Sequence, residues 1–487
     1  MLELDHVTYR YPGYARHALD GVDLAIHDGE VVGLTGPNGS GKSTLCLVAA
    51  GLAPAAVGGE RGGVVRVDGA TLGGLRPHQL AGKTGLVFAN AEAQRTRVAA
   101  TVFEEVAFGP VNLGLPVAET VARTRAALGA LGIGELAERH PARISGGQAQ
   151  LVAIASMLAM RPRYLVLDEP LAELDGPGRH LVLDALKDLG SAGTGLLVAE
   201  HYLDLLATLA NQVVQMRDGR VERQGPPIDV LRSSAEAPGR APPVAESHSE
   251  APIAIRCEAL AFDYPDGTRA LDGVDLTIRA GERVAIVGRN GSGKTTLVRT
   301  WNGLARPTRG RVAVDGQPTT GRHVAALARW VGLTFQDPDR QIFARTCRDE
   351  VAFGARNVGL AGAALEAAVT ESLQAVGLAE QAGANPYDLG PSRRRMLALA
   401  SVLAMRTPII VLDEPTMGLD VDEQARVASI VERLSVAGRT VVAISHDPRF
   451  VRSSFDRAVV LESGHVTADG PPSSIIDAPT EAARVAR

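Results

Sequence analysis

Short apolar runs recur along the chain, each closed by a turn or a polar cluster. Val31-Val32-Gly33-Leu34 and Val284-Ala285-Ile286-Val287 each lead into a glycine-rich segment, with helix-forming residues behind it. Alternating β-type segments precede both. Tyr164–Leu167 and Ile409–Leu412 are continuous apolar runs of the kind that buried parallel strands carry, and Gly195–Ala199 and Thr440–Ile444 follow them. In between, about 117–140 and 361–380 read as short amphipathic helical regions inserted among the strands. This order predicts an α/β fold with a parallel core.

The pattern occurs twice. Segment 18–45, ALDGVDLAIHDGEVVGLTGPNGSGKSTL, matches segment 270–297, ALDGVDLTIRAGERVAIVGRNGSGKTTL, without a gap at an offset of 252 residues. Farther on the offset is 245, so that Asp168 answers to Asp413 and His201 to His446. The lost residues fall in Gly/Ala-rich turns such as Ala53–Gly63, where surface loops tolerate deletion. At 487 residues the chain is long for one core. It divides into two domains of one fold, residues 1–232 and 253–487, joined by a Pro/Ala/Ser-rich linker, Ser233–Pro252.

Charge and cysteine content narrow the setting. A net charge of −5 leaves no electrostatic footprint for nucleic acid. Cys46, Cys257 and Cys347 are odd in number and scattered, which argues against a disulfide framework and for a reducing compartment. No basic-then-apolar signal opens the chain, and no apolar stretch approaches the ~20 residues of a transmembrane helix. The expectation is a cytosolic chain whose membrane role would come through a partner.

The glycine-rich segments carry the candidate chemistry. Gly36-Pro37-Asn38-Gly39-Ser40-Gly41-Lys42-Ser43 and Gly288-Arg289-Asn290-Gly291-Ser292-Gly293-Lys294-Thr295 both fit G-x-x-x-x-G-K-[ST]. The glycines let backbone N–H groups curl around phosphates, the lysine adds a point charge, and the Ser43 or Thr295 hydroxyl ligates Mg²⁺. Thr44 and Thr296 follow as further phosphate-site hydroxyls. A strand before and a helix after aim a helix N-terminus at the anion. Only four lysines occur in the chain, and Lys42 and Lys294 are two of them.

Both later strands end in paired carboxylates, Asp168-Glu169 and Asp413-Glu414. The aspartates are placed to hold Mg²⁺ opposite the loop hydroxyl, and the glutamates to polarise an attacking water. Upstream of the first pair, Ser145-Gly146-Gly147-Gln148 opens a helix with a hydroxyl and two glycines, an anion-binding terminus.

Together these motifs resemble two ATP-binding cassettes fused in tandem, the likeness covering nearly all of the chain but the linker. The resemblance implies two P-loop NTPase domains, each a parallel-sheet core with an antiparallel β subdomain and a helical insertion. ATP and Mg²⁺ are the implied ligands. It further implies that the cassettes pair head to tail, each ATP lying between one P-loop and the opposite signature helix. His201 and His446 become the switch histidines near the γ-phosphate. Asp175 and Asp420 belong to loops crossing the interface, and Tyr11 and Tyr264 to the aromatics that stack on adenine.

The halves differ in ways that bear on activity. Aligning Gly85–Asn90 with Gly332–Asp337 sets Ala89 against Gln336, the family's Mg²⁺-reaching and coupling glutamine. Asn90 stands beside Ala89 as a partial substitute. The second signature reads Leu389-Gly390-Pro391-Ser392-Arg393, so Gly390 lacks the hydroxyl and Pro391 lacks an N–H donor. The run Arg393-Arg394-Arg395 is either a phosphate attractor or a solvated charged face. Under head-to-tail pairing both losses fall on the site of Lys42, while Lys294, Gln336, Asp413, Glu414 and His446 face the intact Ser145-Gly146-Gly147. The expectation is turnover at the second site and mainly binding at the first.

Val102–Gly114 and Asp349–Leu360, with Asp337-Pro338-Asp339-Arg340-Gln341 ahead of the latter, resemble the ATPases of energy-coupling factor importers. The likeness implies a peripheral subunit on the cytoplasmic face of the membrane, an integral-membrane coupling protein, a substrate-capture protein, and a vitamin or transition-metal cargo. Sugar-importer ATPases and soluble tandem-cassette translation factors are the alternatives. The former usually carry the damaged site in the second cassette, and the latter have a longer, charged linker. Cassette DNA-repair proteins have insertions that this chain lacks, and a non-catalytic scaffold is disfavoured by intact Glu414 and His446.

Overall fold

The computed structural model describes residues 1–172, 174–231 and 250–476. It falls into two compact units, Met1–Ala237 and Pro238–Arg487. Most of the expected linker lies outside the described residues.

In the first unit an antiparallel sheet is built from β1 (Leu2–Arg10), β2 (Leu19–Ile26), β4 (Glu60–Val67) and β5 (Ala70–Thr71), in the order β2-β1-β4-β5. A second sheet takes β3 (Val31–Thr35), β6 (Thr84–Val87), β7 (Tyr164–Asp168), β8 (Gly195–Ala199), β9 (Gln212–Arg217) and β10 (Arg220–Gly225), in the order β10-β9-β3-β8-β7-β6. The pairs β6/β7, β7/β8, β8/β3 and β3/β9 are parallel, and β10 adds an antiparallel edge. The apolar runs are therefore central strands, and the edge hairpin is an addition that the sequence pattern did not announce.

Strand pleating explains why these runs are apolar throughout. Successive side chains face opposite sides, and both sides are covered. Val31, Leu165, Leu167, Leu196 and Val198 pack with the helices, whereas Val32, Leu34, Val166, Leu197 and Ala199 pack with the antiparallel sheet and the P-loop helix Lys42–Ala49. Fully burying one such side chain contributes about 1.5–3 kcal/mol. A polar residue in the middle of these runs would have no solvated face to occupy.

The second unit repeats this plan. Its six-stranded sheet runs Val331–Thr334, Ile409–Asp413, Thr440–Ile444, Arg283–Val287, Arg457–Glu462 and His465–Gly470. An antiparallel sheet of Ile253–Asp263, Arg269–Arg279, Arg309–Val314 and Gln317–Pro318 lies beside it in sequence.

The helical insertions are shorter than the expected 117–140 and 361–380. Helices cover Val117–Ala130 and Gly362–Ala375, and 3₁₀ turns follow at Gly134–Leu136 and Ala379–Gln381. Gly132 and Gly377, at φ 62° and 77°, supply the left-handed residue that ends each helix. The Val-Ala-Phe-Gly segments form helices of their own, Val102–Asn112 and Cys347–Asn357. Thr101 and Thr346 cap them, each accepting a hydrogen bond from the backbone N–H of the third helical residue. No helix among the described residues is long and apolar enough to cross a membrane.

Candidate nucleotide sites

Each glycine-rich segment links a buried strand to an eight-residue helix, β3 to Lys42–Ala49 and Arg283–Val287 to Lys294–Trp301. Gly36 and Gly288 lie at φ 143° and 146°, and a Cβ there would strike the carbonyl oxygens of Met216 and Leu461. Gly41 and Gly293 cap the helices at φ 103° and 101°, hard against the carbonyls of Ala18 and Ala270. At these four positions a side chain is barred for steric reasons, which keeps the backbone there free to approach a phosphate.

The buried Lys42 Nζ donates to the Gly36 and Pro37 carbonyls at 2.8 and 3.1 Å, and Lys294 Nζ to those of Gly288 and Arg289 at 2.7 and 2.8 Å. The Ser40 and Ser292 hydroxyls are buried without a hydrogen-bond partner among the described residues. Polar groups of this kind, held out of water at a helix N-terminus, suit a phosphate chain.

Asp168 and Asp413 end their strands directly beneath the loops. Thr295 Oγ1 donates to Asp413 Oδ2 at 3.1 Å, and in the first unit Ser43 stands close enough to Asp168 to favour its charged form. In both units the other carboxylate oxygen, Oδ1, is buried with no hydrogen-bond partner among the described residues. A hydroxyl and a carboxylate oxygen converging from two elements are hard oxygen donors of the kind Mg²⁺ takes. Burial, joined by the Glu169 charge, pushes Asp168 up to about 6, and burial raises Asp413 as well. A divalent cation would offset that cost of burying charge.

The next residue turns sharply. Glu169 and Glu414 adopt φ 51° and 50°, uncommon for a side-chain-bearing residue, and their N–H groups bond to the carbonyls of Ala199 and Ile444. Each carboxylate thereby meets a histidine from the neighbouring strand end. His201 Nε2 lies 3.1 Å from Glu169 Oε1, and His446 Nε2 lies 3.3 Å from Glu414 Oε1. A carboxylate oriented by an imidazole beside a phosphate loop can accept a proton from water.

Tyr11 and Tyr264 stand at the ends of their first strands. Their hydroxyls meet Thr44 Oγ1 and Thr296 Oγ1 at 3.2 and 2.8 Å, and edge-on contacts with Tyr9 and Phe262 fix the rings. Both rings are thus brought to the P-loop helix.

The family model described as ABC transporter matches residues 19–172 and 271–417. The chain belongs to the ABC transporter family. It is 33% identical to a putative ABC transporter ATP-binding protein of Methanosarcina acetivorans over 537 aligned residues, covering 99% of this chain and 87% of that protein. A Streptomyces coelicolor protein of the same description is 32% identical, covering 100% and 97%. Among solved structures, a model of ribosome-bound archaeal Pelota and ABCE1 matches with a TM-score of 0.72 at 22% identity, covering 97% of this chain and 79% of that one, a likeness of fold alone. The chain is accordingly an ABC ATPase of two cassettes, and ATP hydrolysis is the activity of such cassettes.

The two cassettes differ locally. Ser145 caps the helix Gly146–Met160 through a capping box, with its Oγ accepting from Gln148 N at 3.3 Å and its own N–H donating to Gln148 Oε1 at 3.0 Å. At the equivalent helix, Pro391–Ala404, Gly390 caps without a side-chain bond, and Pro391 sits at the first helical position. Asn90, beside the missing glutamine, is engaged locally. Its Oδ1 caps the next turn by accepting from Glu92 N, the same work that Asp337 does in the second cassette. Asp175 and Asp420 cap the helices Gly176–Ser191 and Val421–Val436.

The arginine run does not act as a unit. Arg393 is exposed, but Arg394 binds the Leu389 carbonyl and pairs with Asp339 at 2.8 Å, and Arg395 binds the carbonyls of Gln336 and Met417. Sequence reasoning also passed over Glu200, which precedes His201 where the second cassette has Ser445. It is buried, and its two oxygens accept from Leu171 N and His201 N at 2.8 and 3.1 Å. A carboxylate closing the apolar run Gly195–Ala199, with serine in the other copy, was the available signal.

Proposed function

We propose that this ABC ATPase is the motor of an energy-coupling factor importer, carrying a micronutrient such as a vitamin or a transition-metal ion. It works at the cytoplasmic face of the membrane with an integral-membrane coupling protein and a substrate-capture protein. Lys42, Ser43, Asp168, Glu169 and His201 serve the first site. Lys294, Thr295, Gln336, Asp413, Glu414 and His446 serve the second. Mg²⁺ held by the hydroxyl and aspartate pairs would offset phosphate charge; Glu414 and His446 orient the water and take its proton. Tyr11 and Tyr264 offer ring faces for adenine, and Ser145-Gly146-Gly147-Gln148 completes the second site by head-to-tail pairing. The second site turns over ATP and the first mainly binds it.

The supporting observation is a cleft on the first cassette. A space of about 380 Å³ opens between the helices Val102–Asn112 and Gly146–Met160, lined by Phe108, Gly109, Val152, Met157 and Met160. Phe108 is 44% exposed at its edge, and its counterpart Phe353 is 45% exposed against Phe343, ring centroids 4.7 Å apart. Exposed aromatics beside an apolar, methionine-lined cleft suit a partner's amphipathic helix. Co-purification from native membranes, with identification of the bound integral proteins, tests the reading. A small multispanning subunit together with a capture protein supports it, and a complex with ribosomes overturns it.

A further inference from the structure

The second cassette's altered signature helix reaches two loops of its own catalytic site. Arg395 stands one turn into Pro391–Ala404, and its guanidinium donates to the Gln336 carbonyl at 2.9 Å and to the Met417 carbonyl. Gln336 follows the strand Val331–Thr334. Met417 closes the turn that starts at Glu414, its N–H lying 3.4 Å from the Glu414 carbonyl. One side chain therefore ties the loop of the coupling glutamine to the loop of the catalytic glutamate. Arg394 adds to the brace by pairing with Asp339, three residues beyond Gln336. In the first cassette the equivalent residue is Gln150, whose amide nitrogen and oxygen are both buried with no hydrogen-bond partner among the described residues. A guanidinium fork can donate to two carbonyls at once, whereas a glutamine offers one NH₂ on a shorter stem.

We propose that Arg395 is a positioning residue of the second ATP site, holding Gln336 and Glu414 in register by bridging the carbonyls of their two loops. The helix that has lost Ser and Gly for work across a cassette pair carries, on its inner face, an arginine that works within its own cassette. The inference rests on the reading that the second site turns over ATP.

The test uses the full chain with Lys42→Ala, so that the second P-loop alone holds nucleotide. Arg395→Gln, the first cassette's residue, is measured by steady-state hydrolysis and by Mn²⁺ resonance with a non-hydrolysable ATP analogue. Losing two charge-assisted bonds to the loops should lower kcat about tenfold and weaken Mn²⁺ binding several-fold, with KM for ATP within about twofold. Arg395→Lys should recover only part of both losses, since it keeps the charge without the fork. Unchanged kcat and Mn²⁺ binding overturn the proposal, as does full recovery by lysine. Equal losses of ATP binding and thermal stability in Arg395→Gln also overturn it by making the residue a plain fold contact. Adding Glu414→Gln to Lys42→Ala checks the underlying reading separately. If that variant still hydrolyses ATP, the reading fails while Mn²⁺ binding still decides the role of Arg395.

Discussion

Nε2 of His446 lies 3.3 Å from Oε1 of Glu414, and the carboxylate that it meets is carried on a residue at φ 50°. The strained turn aims the glutamate back toward the strand end that bears the histidine. The first cassette keeps the same pair, His201 with Glu169, so the two sites differ in the groups around the pair.

That difference makes the two glutamates unequal. Glu414→Gln should slow ATP hydrolysis by roughly 10²–10⁴-fold with ATP binding retained, the usual worth of a positioned general base. Glu169→Gln should do much less. Steady-state rates of the two single variants decide the matter, and equal losses would remove the asymmetry.

Ser145 offers a test of pairing between cassettes. Ser145→Ala removes the cap, worth about 1 kcal/mol of helix stability, together with the hydroxyl offered to phosphate, and should lower hydrolysis only in part because the glycine N–H groups remain. Ser145→Arg sets a bulky cation where the hydroxyl would meet phosphate bound at Lys294, and should block hydrolysis. If Ser145→Arg hydrolyses ATP like the parent, head-to-tail pairing is wrong for this chain.

Partner docking should separate from nucleotide binding. Phe108→Asp with Phe353→Asp puts carboxylates where a docked helix would strip them of water, at a cost of several kcal/mol. Transport and co-purification should fail while ATP binding, followed with a fluorescent analogue, survives. Both phenylalanines are already half-exposed, so folding should tolerate the change.

Glu200 gives the stability a pH dependence with a defined sign. Burial, reinforced by the Glu169 charge, raises it from 4.5 to about 7 in the folded chain. Between these values the folded state holds a proton that the unfolded state has released, so stability falls as pH rises through this window and levels off above it. Glu200→Gln cannot release that proton. Its melting temperature relative to the parent should climb from pH 4.5 to about 7 and then stay flat. A constant difference across that range would show that burial does not hold Glu200 protonated.

Local stereochemistry makes a large part of this protein legible in its sequence. A phosphate loop needs glycine where the neighbouring carbonyls of Met216 and Leu461 leave no room for a Cβ, so Gly36 and Gly288 mark it without tertiary knowledge. Strands covered on both faces must be apolar throughout, which is why Tyr164–Leu167 and Ile409–Leu412 are readable as core. The acidic pairs ending them are readable for the same reason, because charge there interrupts an apolar run. Other features depend on the direction in which a side chain leaves its helix. Arg393, Arg394 and Arg395 are one charge run in sequence, yet successive helical residues point about 100° apart. One therefore faces water while the next two turn inward to Asp339 and to the Gln336 and Met417 carbonyls. Asn90 beside Ala89 has the chemistry of a spare amide, but the turn after β6 uses its oxygen as a cap. Glu200 carries no signal of which N–H groups will converge on it, because Leu171 and His201 meet only where β7 and β8 end side by side. Motif and burial pattern are properties of short stretches and survive in sequence; hydrogen-bond partners drawn from distant segments are set by how the strands and helices pack.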